Sequence, residues 1–334
     1  MNNHKIPSIK SRKLIYFFSL GILICMGLGI LVGCFKPPTT PLLIGINSWP
    51  GFAPFYLAEE LGYYQNSAID IVDYPSTTEV SRGMRNGDLQ GGGMTIDETF
   101  MFAETFPEVR VILLTDLSNG GDVIIGKPEL KTLSDIKGKR VGVENTALGA
   151  YMLSRGLDKA GLSVQDITVI SLRYPEHESA FQQDEVDALV TFEPVLSQLI
   201  AMGGNILFDS SQILGEVVDM LVVRQDILET HAKELQQLIK GWFMALEYLK
   251  KEPENAAKIM AKRDAVNPQD FLDSLKLISF LTSTENQKLL SQTDPSLVNS
   301  AKTMFQLMQE KELLQSNIDF ASLLDPRFVT KFNQ

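Results

Sequence analysis

Few side chains in this sequence have the types and spacing that catalysis requires. The 334 residues include three histidines and two cysteines, and they contain neither a Gly-x-Ser-x-Gly elbow nor a Gly-x-x-x-x-Gly-Lys-Ser/Thr loop. His177 lies between Glu176 and Glu178 and is the one candidate for a proton relay or a metal ligand, but a single imidazole without partners is typical of a polar surface. The sequence therefore predicts a protein that is not an enzyme, with no catalytic residue, no metal site and no cofactor.

Side chains suited to binding, by contrast, follow several predicted strands. In an open α/β sheet the carboxyl ends of the strands meet at one edge, where loops and helix starts face a ligand. Hydroxyls and helix starts suit an anionic or neutral polar head, and aromatic rings could stack on a flat ligand or cover an alkyl chain. Asp97 and Glu193 could equally serve at helix starts, and Arg173 could be a solvated strand end. The predicted ligand-binding residues are Asn47, Ser48, Trp49, Phe52, Thr77, Thr95, Asp97, Asn119, Asn145, Thr146, Arg173, Thr191 and Glu193.

An alternation of short apolar segments with helical stretches places these groups and indicates an α/β fold. The segment 77–86 is predicted as a helix because a threonine opens it and Gly87 ends it. Gly91-Gly92-Gly93 precedes strand residues rather than a helix start, so close backbone packing is expected there instead of phosphate binding. Only amphipathic helices are predicted after Arg224. The predicted strands are 43–47, 69–74, 91–95, 109–115, 122–125, 140–144, 168–172, 188–192, 206–209 and 219–223.

The pattern repeats along the chain. Ile44-Gly-Ile-Asn-Ser, before one predicted helix, is echoed by Val141-Gly-Val-Glu-Asn before another. Two such units predict two similar lobes, with lobe I formed by 42–121 and 225–334 and lobe II by 122–224. The segments 116–125 and 215–224 are predicted to cross between the lobes, with Gly120-Gly121 supplying backbone freedom at the first crossing.

The amino-terminal segment is predicted to direct export. Four basic residues precede an uncharged apolar run from Leu14 to Val32, as in a signal peptide or a membrane anchor. Leu31-Val32-Gly33-Cys34 resembles the bacterial lipobox, in which the cysteine is lipidated and becomes the mature terminus. We therefore expect a signal peptide with a lipobox in 1–34, lipidation of Cys34 and a proline-containing linker in 35–41. A plain single-span anchor is the alternative, and in either case the remaining chain would lie outside the cytoplasm, tethered to a membrane.

The charge and cysteine content of the remaining chain exclude other classes. Both cysteines lie in this leader, so the mature domain has no disulfide and no thiol chemistry. Removal of the leader leaves 26 basic against 41 acidic residues. An acidic domain of this kind is a poor binder of nucleic acid.

Four stretches carry a resemblance to a known family. They are Ser-Trp-Pro-Gly-Phe and its continuation in 48–64, Leu-Ser-Asp-Ile-Lys-Gly-Lys-Arg-Val in 133–141, Lys-Ala-Gly-Leu-Ser in 159–163, and Val-Asp-Ala-Leu-Val-Thr-Phe-Glu-Pro in 186–194. Between residues 42 and 262 the chain resembles the solute-binding receptors of nitrate, sulfonate, taurine and bicarbonate importers, a superfamily that includes the thiamine-pyrimidine-precursor proteins. The resemblance implies a type II periplasmic-binding-protein-like α/β fold, with two similar lobes of mixed, mostly parallel sheets, two crossing strands and a ligand cleft between the lobes.

The resemblance also implies where a ligand would bind. Carried over position by position, the family's cleft would use the loop 48–52, the regions of Thr77 and Thr95, the helix start at 145–146 and the strand end at 191–193. The second-lobe helix start, Glu-Asn-Thr-Ala-Leu-Gly, has fewer hydroxyls than sulfonate binders carry, and the first loop lacks the histidine of pyrimidine binders. The cysteine-rich motif of the yeast pyrimidine synthase is absent.

These expectations together predict an extracytoplasmic, lipid-anchored receptor. It would capture a small polar or anionic organic molecule, such as a sulfonate, nitrate, taurine or a pyrimidine, by closing its lobes. Its partners would be the permease and ATPase subunits of an ABC importer, and it would be a monomer. A periplasmic ligand sensor for a membrane signalling protein is the alternative, and a pyrimidine-synthesis-type enzyme is a further one.

Overall fold

Two mixed β-sheets organise the chain from Pro41 onward. The computed structural model describes residues 40–65 and 67–330. The predicted signal peptide 1–34, its lipidation site Cys34 and most of the linker 35–41 lie outside the described residues. Within the described residues, no helix has the length and apolar character needed to cross a membrane.

Strands and helices alternate over the first two thirds of the chain, and helices dominate thereafter. The strands are β1 (Leu42–Ile46), β2 (Ile69–Asp73), β3 (Gly91–Thr95), β4 (Val109–Ser118), β5 (Asp122–Gly126), β6 (Arg140–Glu144), β7 (Thr168–Leu172), β8 (Ala188–Phe192), β9 (Asn205–Asp209), β10 (Val218–Arg224) and β11 (Ile278–Phe280). The helices are α1 (Ala53–Glu60), α2 (Thr77–Asn86), α3 (Ile96–Thr105), α4 (Ala147–Ala160), α5 (His177–Gln182), α6 (Val195–Ala201), α7 (Ile227–Thr230), α8 (Ala232–Lys251), α9 (Pro253–Arg263), α10 (Pro268–Ser274), α11 (Ser283–Leu290), α12 (Ser296–Glu310) and α13 (Arg327–Thr330). Short 3₁₀ turns lie at Pro50–Phe52, Leu133–Ile136, Val164–Asp166, Tyr174–Glu176, Ser210–Ile213, Leu275–Leu277 and Phe320–Leu323.

The predicted internal repeat is confirmed by the topology. The first sheet has the order β11-β4-β10-β3-β1-β2 and the second the order β7-β6-β8-β5-β9. In the first copy β1 pairs in parallel with β2 and β3, and in the second copy β6 pairs in parallel with β7 and β8. Each copy is thus a strand–helix–strand–helix–strand unit, and the α/β class with two mixed sheets is as expected.

The sheets were expected to be mostly parallel, but parallel pairing does not dominate in either of them. β10 runs antiparallel to β3 and β4, β11 runs antiparallel to β4, and β5 runs antiparallel to β8 and β9. Each crossing between the sheets is short. The strand that follows it, β5 in the second sheet or β10 in the first, therefore runs antiparallel to both of its neighbours. β10 pairs in the first sheet, although the predicted boundary at 224 grouped it with lobe II.

The expectation that strands cease after Arg224 was wrong. The three-residue strand β11 pairs with β4 at the edge of the first sheet. Its sequence, Ile-Ser-Phe, is too short to show the alternation that identifies a strand.

Close backbone packing at the three consecutive glycines is confirmed. A Cβ on Gly92 would lie 2.2 Å from Val80 Cγ1, and one on Gly93 would lie 2.6 Å from Phe52 Cζ. Because no larger residue fits, β3 can approach both α2 and the turn after β1. This packing brings Thr95, at the end of β3, close to the residues that follow β1.

The chain crosses between the sheets at residues 119–121 and 210–217. Two buried serines tie these crossings together, because the hydroxyls of Ser118 and Ser210 lie 2.8 Å apart. The Gly120 N–H donates to Ser210 Oγ at 2.7 Å, and the Asp122 N–H donates to Ser118 Oγ at 3.2 Å. Gly120 has a φ of 106°, a conformation that glycine adopts readily. The crossings therefore form one hydrogen-bonded joint.

Candidate functional site

A cavity lies where the carboxyl ends of the parallel strands of the two sheets face each other. Its free volume, measured as the space open to the centre of a water-sized molecule, is about 40 Å³. A compact ligand head therefore fits between the sheets as they stand. The lining residues are Asn47, Trp49, Thr77, Thr95, Glu98, Asp219 from the elements of the first sheet, and Asp122, Glu144, Thr146, Leu148, Gly149, Met152, His177, Val190, Thr191 and Phe192 from those of the second.

Carboxyl groups dominate the polar lining. Glu98, Asp122, Glu144 and Asp219 all border the cavity, and none of the described lining residues is Lys or Arg. In the strand register Asp219 lies opposite Thr95 on one side and opposite Asp116 on the other. Like charges at opposed positions of neighbouring strands repel each other. The first sheet therefore concentrates carboxyl groups at this edge, and their ionised forms repel each other.

Burial holds protons on these carboxyls, because removal from water disfavours the charged form. Neighbouring carboxylates add to this effect at Glu98, Asp116, Asp122 and Asp219, and hydrogen bonds from Ser118 and Trp49 oppose it at Asp122 and Asp116, respectively. The cluster accordingly titrates near neutral pH instead of near pH 4. The pKa is raised to about 6 for Asp97, to about 7 for Asp116, Asp122 and Glu144, to about 8 for Glu98, and well above its ordinary value for Asp219.

His177 opens α5 and is fully buried, so the expectation of a surface position was wrong. Its Nδ1 lies 3.0 Å from the Thr191 hydroxyl, and its Nε2 has no hydrogen-bond partner within the described residues. Burial lowers the pKa of His177 to about 4. The imidazole is therefore neutral near pH 7 and adds no positive charge to the cavity.

Other buried polar atoms at the site also lack partners. In the part of the chain that the structure describes, the Thr95 hydroxyl, both carboxylate oxygens of Asp97 and Oδ2 of Asp116 make no hydrogen bond of normal geometry. The Thr95 hydroxyl and nearby amides still lie close enough to offset part of the effect of burial on the pKa of Asp97. The Thr95 N–H donates to Glu98 Oε2 at 3.1 Å, so Glu98 caps the start of α3. Glu98 also borders the cavity. Buried polar atoms without partners are uncommon in proteins and mark this region as unusual.

Aromatic side chains join the two sheets across the cavity. Trp49 is 4% exposed, and its Nε1–H donates to Asp116 Oδ1 at 3.2 Å. Its ring meets Phe192 of the second sheet edge-on, with centroids 6.1 Å apart, and Phe192 stacks on Tyr174 with centroids 4.3 Å apart. A Cβ on Gly121, in the first crossing, would lie 2.5 Å from Trp49 Cη2. Trp49 thus contacts both the second sheet and the joint.

The structure brings six of the predicted ligand-binding residues together around the cavity. All six lie at strand ends or helix starts, as the βα pattern predicted, and their contacts with a ligand stay predictions. They are Asn47, Trp49, Thr77, Thr95, Thr146 and Thr191.

The other seven predicted residues do not line the cavity. Phe52 packs beneath β3, Asp97 is buried behind the lining, and Ser48 is half-buried beside it. Asn119 lies in the first crossing, where its N–H donates to the Leu277 carbonyl at 2.8 Å. The remaining three face elsewhere: Asn145 is exposed along an outer groove, Arg173 is exposed with its Nε 2.9 Å from Glu176 Oε1, and Glu193 accepts hydrogen bonds from the Ser197 amide and hydroxyl.

The sequence prediction missed the acidic lining. Asp122 and Asp219 lie in the segments 116–125 and 215–224, which were predicted to cross between the lobes, and neither they nor Glu98 is among the predicted ligand-binding residues. The available signal was an aspartate next to a β-branched run. A strand of this kind is usually buried, and burial of an ionisable group costs free energy unless the group is paired. Phe192 lies in the predicted strand end 191–193 and does line the cavity. The missed lining residues are Glu98, Asp122, Glu144, Leu148, Gly149, Met152, His177, Val190 and Asp219.

Comparison with known proteins supports this fold. The structure of the alkanesulfonate-binding protein SsuA from Xanthomonas axonopodis pv. citri bound to MOPS has a TM-score of 0.74 at 18% identity, and the match covers 87% of this chain and 100% of that one. The predicted type II periplasmic-binding-protein-like fold is therefore confirmed.

Sequence relatives point in the same direction. An aliphatic sulfonates-binding protein of Bacillus subtilis (strain 168) is 26% identical over 303 residues, which are 86% of each chain. One of Escherichia coli (strain K12) is 23% identical over 60% of this chain, and the chain spans only 63% of that relative's length. The NMT1-like family matches residues 35–263. That match covers more than half of the sequence, and the chain therefore belongs to the NMT1-like family.

Proposed function

We propose that this protein captures a small polar molecule by closing its two sheets around the cavity, and that it delivers the molecule to the permease and ATPase of an ABC importer. The observation that carries the proposal is the cavity itself, because both sheets supply its walls and Trp49 of the first meets Phe192 of the second. The relatives of Bacillus subtilis and Escherichia coli are named as binding proteins, which supports the same conclusion. The crossings at 119–121 and 210–217 would act as the hinge.

The proposal includes the position of the protein in the cell. It would be exported, lipidated at Cys34 and tethered outside the cytoplasm as a monomer, with a lobe boundary near each crossing. Support comes from the uncharged run 14–32 and from the lipobox-like residues that end at Cys34. Metabolic labelling with a fatty acid, in the wild type and in Cys34→Ser, tests this step.

The ligand named for the relatives is not carried over to this chain. A sulfonate would enter a cavity bordered by Glu98, Asp122, Glu144 and Asp219, with none of the described lining residues basic. The charge of the ligand is therefore a separate question from its capture. We propose binding without chemical change, and mass analysis of recovered ligand tests that point.

Trp49 provides a reporter for capture. The other tryptophan, Trp242, is fully buried in α8 and does not line the cavity, and its ring centroid lies 4.4 Å from that of Phe55 with a tilt of 44° between the rings. In a Trp242→Phe variant the emission comes from Trp49 alone. A panel of sulfonates, nitrate, aminopyrimidines, ureas and organic cations should contain a ligand that changes this emission.

The same ligand should raise the thermal midpoint of the protein. At one hundred times the dissociation constant a ligand stabilises the folded state by about 2.7 kcal/mol. Absence of both the spectral and the thermal response across the whole panel would contradict capture in this cavity.

A further inference from the structure

Carboxyl groups border the cavity from both sheets. Glu98 and Asp219 come from elements of the first sheet, and Asp122 and Glu144 from strands of the second. Arg263 is a basic residue near the site, but it donates to the Asn47 carbonyl at 2.6 Å and pairs with Asp73 at 2.6 Å. Its Nη2 thus pairs with Asp73, which does not line the cavity, whereas its Nε and Nη1 have no partner within the described residues.

The lining groups differ in how far they are engaged within the protein. The Trp49 Nε1–H donates to Asp116 Oδ1 at 3.2 Å, and Asn47 Nδ2 donates to Thr77 Oγ1 at 3.2 Å. By contrast, the fully buried His177 has an unpartnered Nε2, and the buried Thr95 has an unpartnered hydroxyl, within the described residues. Both of these residues line the cavity.

We propose that the molecule captured in this cavity is a compact organic cation with several N–H donors, of the ammonium or amidinium–guanidinium class. The inference rests on the proposed function and names its ligand class. Carboxylates on two sides of the cavity accept charge-assisted hydrogen bonds from such a cation, and the Thr95 hydroxyl can accept another. Nε2 of His177 accepts one as well in the tautomer whose Nδ1–H donates to the Thr191 hydroxyl.

The remaining walls suit the same class of ligand. Trp49 and Phe192 supply aromatic rings, whose π-faces attract cations, and Met152 and Leu148 are apolar. The free space of about 40 Å³, measured as that open to the centre of a water-sized molecule, suits a compact ligand head. An organic anion would meet four carboxyls, and none of the described lining residues is Lys or Arg.

Matched pairs of small probes test the inference, because members of a pair differ in charge and hardly in shape. Acetamidinium is compared with acetamide, and guanidinium at millimolar concentration with urea. Methylammonium, methanesulfonate and taurine complete the set. Titration calorimetry in phosphate buffer avoids amine buffers, which belong to the proposed ligand class. We expect at least one cation to bind ~10-fold or more tightly than its neutral counterpart and than methanesulfonate.

Two isosteric variants add a readout at the carboxyls. Asp219→Asn and Asp122→Asn should each weaken binding of the cation by ~10-fold or more, whereas Glu254→Gln, at an exposed position of α9, should leave it unchanged. Thermal melts of each variant show whether it folds, and the probe pairs on the wild type do not depend on any variant.

Each outcome has a defined meaning. Tighter binding of methanesulfonate or taurine than of every cation would overturn the inference and leave capture standing. Equal binding of charged and neutral partners, or unchanged cation affinity in both folded aspartate variants, would also overturn it. If no probe binds, and the wider panel gives no response, the inference and the proposed function fail together.

Discussion

Replacement of Asp122 by asparagine should stabilise the protein, although it changes a buried residue of the candidate site. Asp122 is 3% exposed and lines the cavity at the start of β5. Burial is the largest cause of its raised pKa, the negative charge of Asp97 adds to it, and the Ser118 hydrogen bond opposes it. Asparagine keeps the shape of the side chain and removes the ionisable group.

The magnitude follows from the pKa. Since the pKa of Asp122 rises from 3.8 to about 7 on folding, the native state binds the proton more tightly than the unfolded state does. Below pH 3.8 both states are protonated and nothing is lost, whereas stability falls as the pH rises from about 4 to about 7. At about 1.4 kcal/mol for each pKa unit, the loss reaches about 4 kcal/mol above pH 7. The asparagine variant does not lose this stability, because its side chain does not ionise.

Urea unfolding of the wild type and Asp122→Asn at pH 4 and pH 8 measures the effect. We expect the variant to gain about 2–4 kcal/mol in the free energy of unfolding at pH 8 and little at pH 4. Asp88→Asn, at an exposed turn position, is the matched control and should stay within about 0.5 kcal/mol of the wild type at both pH values. The reasoning is refuted if Asp122→Asn is no more stable than the wild type at pH 8, or if its gain is the same at both pH values.

Two further substitutions test the joint and the aromatic contact. Gly121→Ala places a Cβ 2.5 Å from Trp49 Cη2, so it should lower the free energy of unfolding by about 1–3 kcal/mol. In a Trp242→Phe background it should also shift the emission of Trp49, and an unchanged spectrum would contradict this packing. Ser210→Ala removes the group that pairs with Ser118 and accepts from the Gly120 N–H, and urea unfolding should show a loss of about 1–3 kcal/mol. The exposed neighbour variant Ser211→Ala should lose less than about 0.5 kcal/mol, and equal losses in the two serine variants would argue against the joint.

Much of the fold was predictable because its signals are local. The segment Ile69–Asp73 carries the branched apolar residues of a strand, and α2 ends at Gly87 in the left-handed conformation that glycine favours. These signals recur in the second copy, where α4 ends at Gly161 in the same conformation. The two strand–helix units therefore followed from the sequence. The antiparallel pairs did not, because they join strands that are distant in the chain.

The site was less predictable for the same reason. Thr95, Asp116 and Asp219 lie side by side only because β10 inserts between β3 and β4 in one register. No local pattern around any of these residues reports that register. His177 was expected at the surface because a single imidazole without partners is typical there, whereas its side chain is fully buried at the start of α5. In the sequence, hydroxyls and helix starts favoured an anionic or neutral ligand. Only the structure shows that Trp49 and Asn47 donate hydrogen bonds to Asp116 and Thr77 within the protein.

Proton exchange on ligand binding tests the central claim most directly, namely that the acidic cavity takes up a cation. The groups that titrate there are Asp97, Glu98, Asp116, Asp122, Glu144 and Asp219, together with His177, and several of these carboxyls have a pKa near 7. A bound cation stabilises their ionised forms and lowers their pKa. In a pH-stat titration at pH 7, without buffer, the best-binding cation of the probe set should therefore release protons from the protein as it binds. Proton uptake, or binding with no proton exchange, would contradict the account.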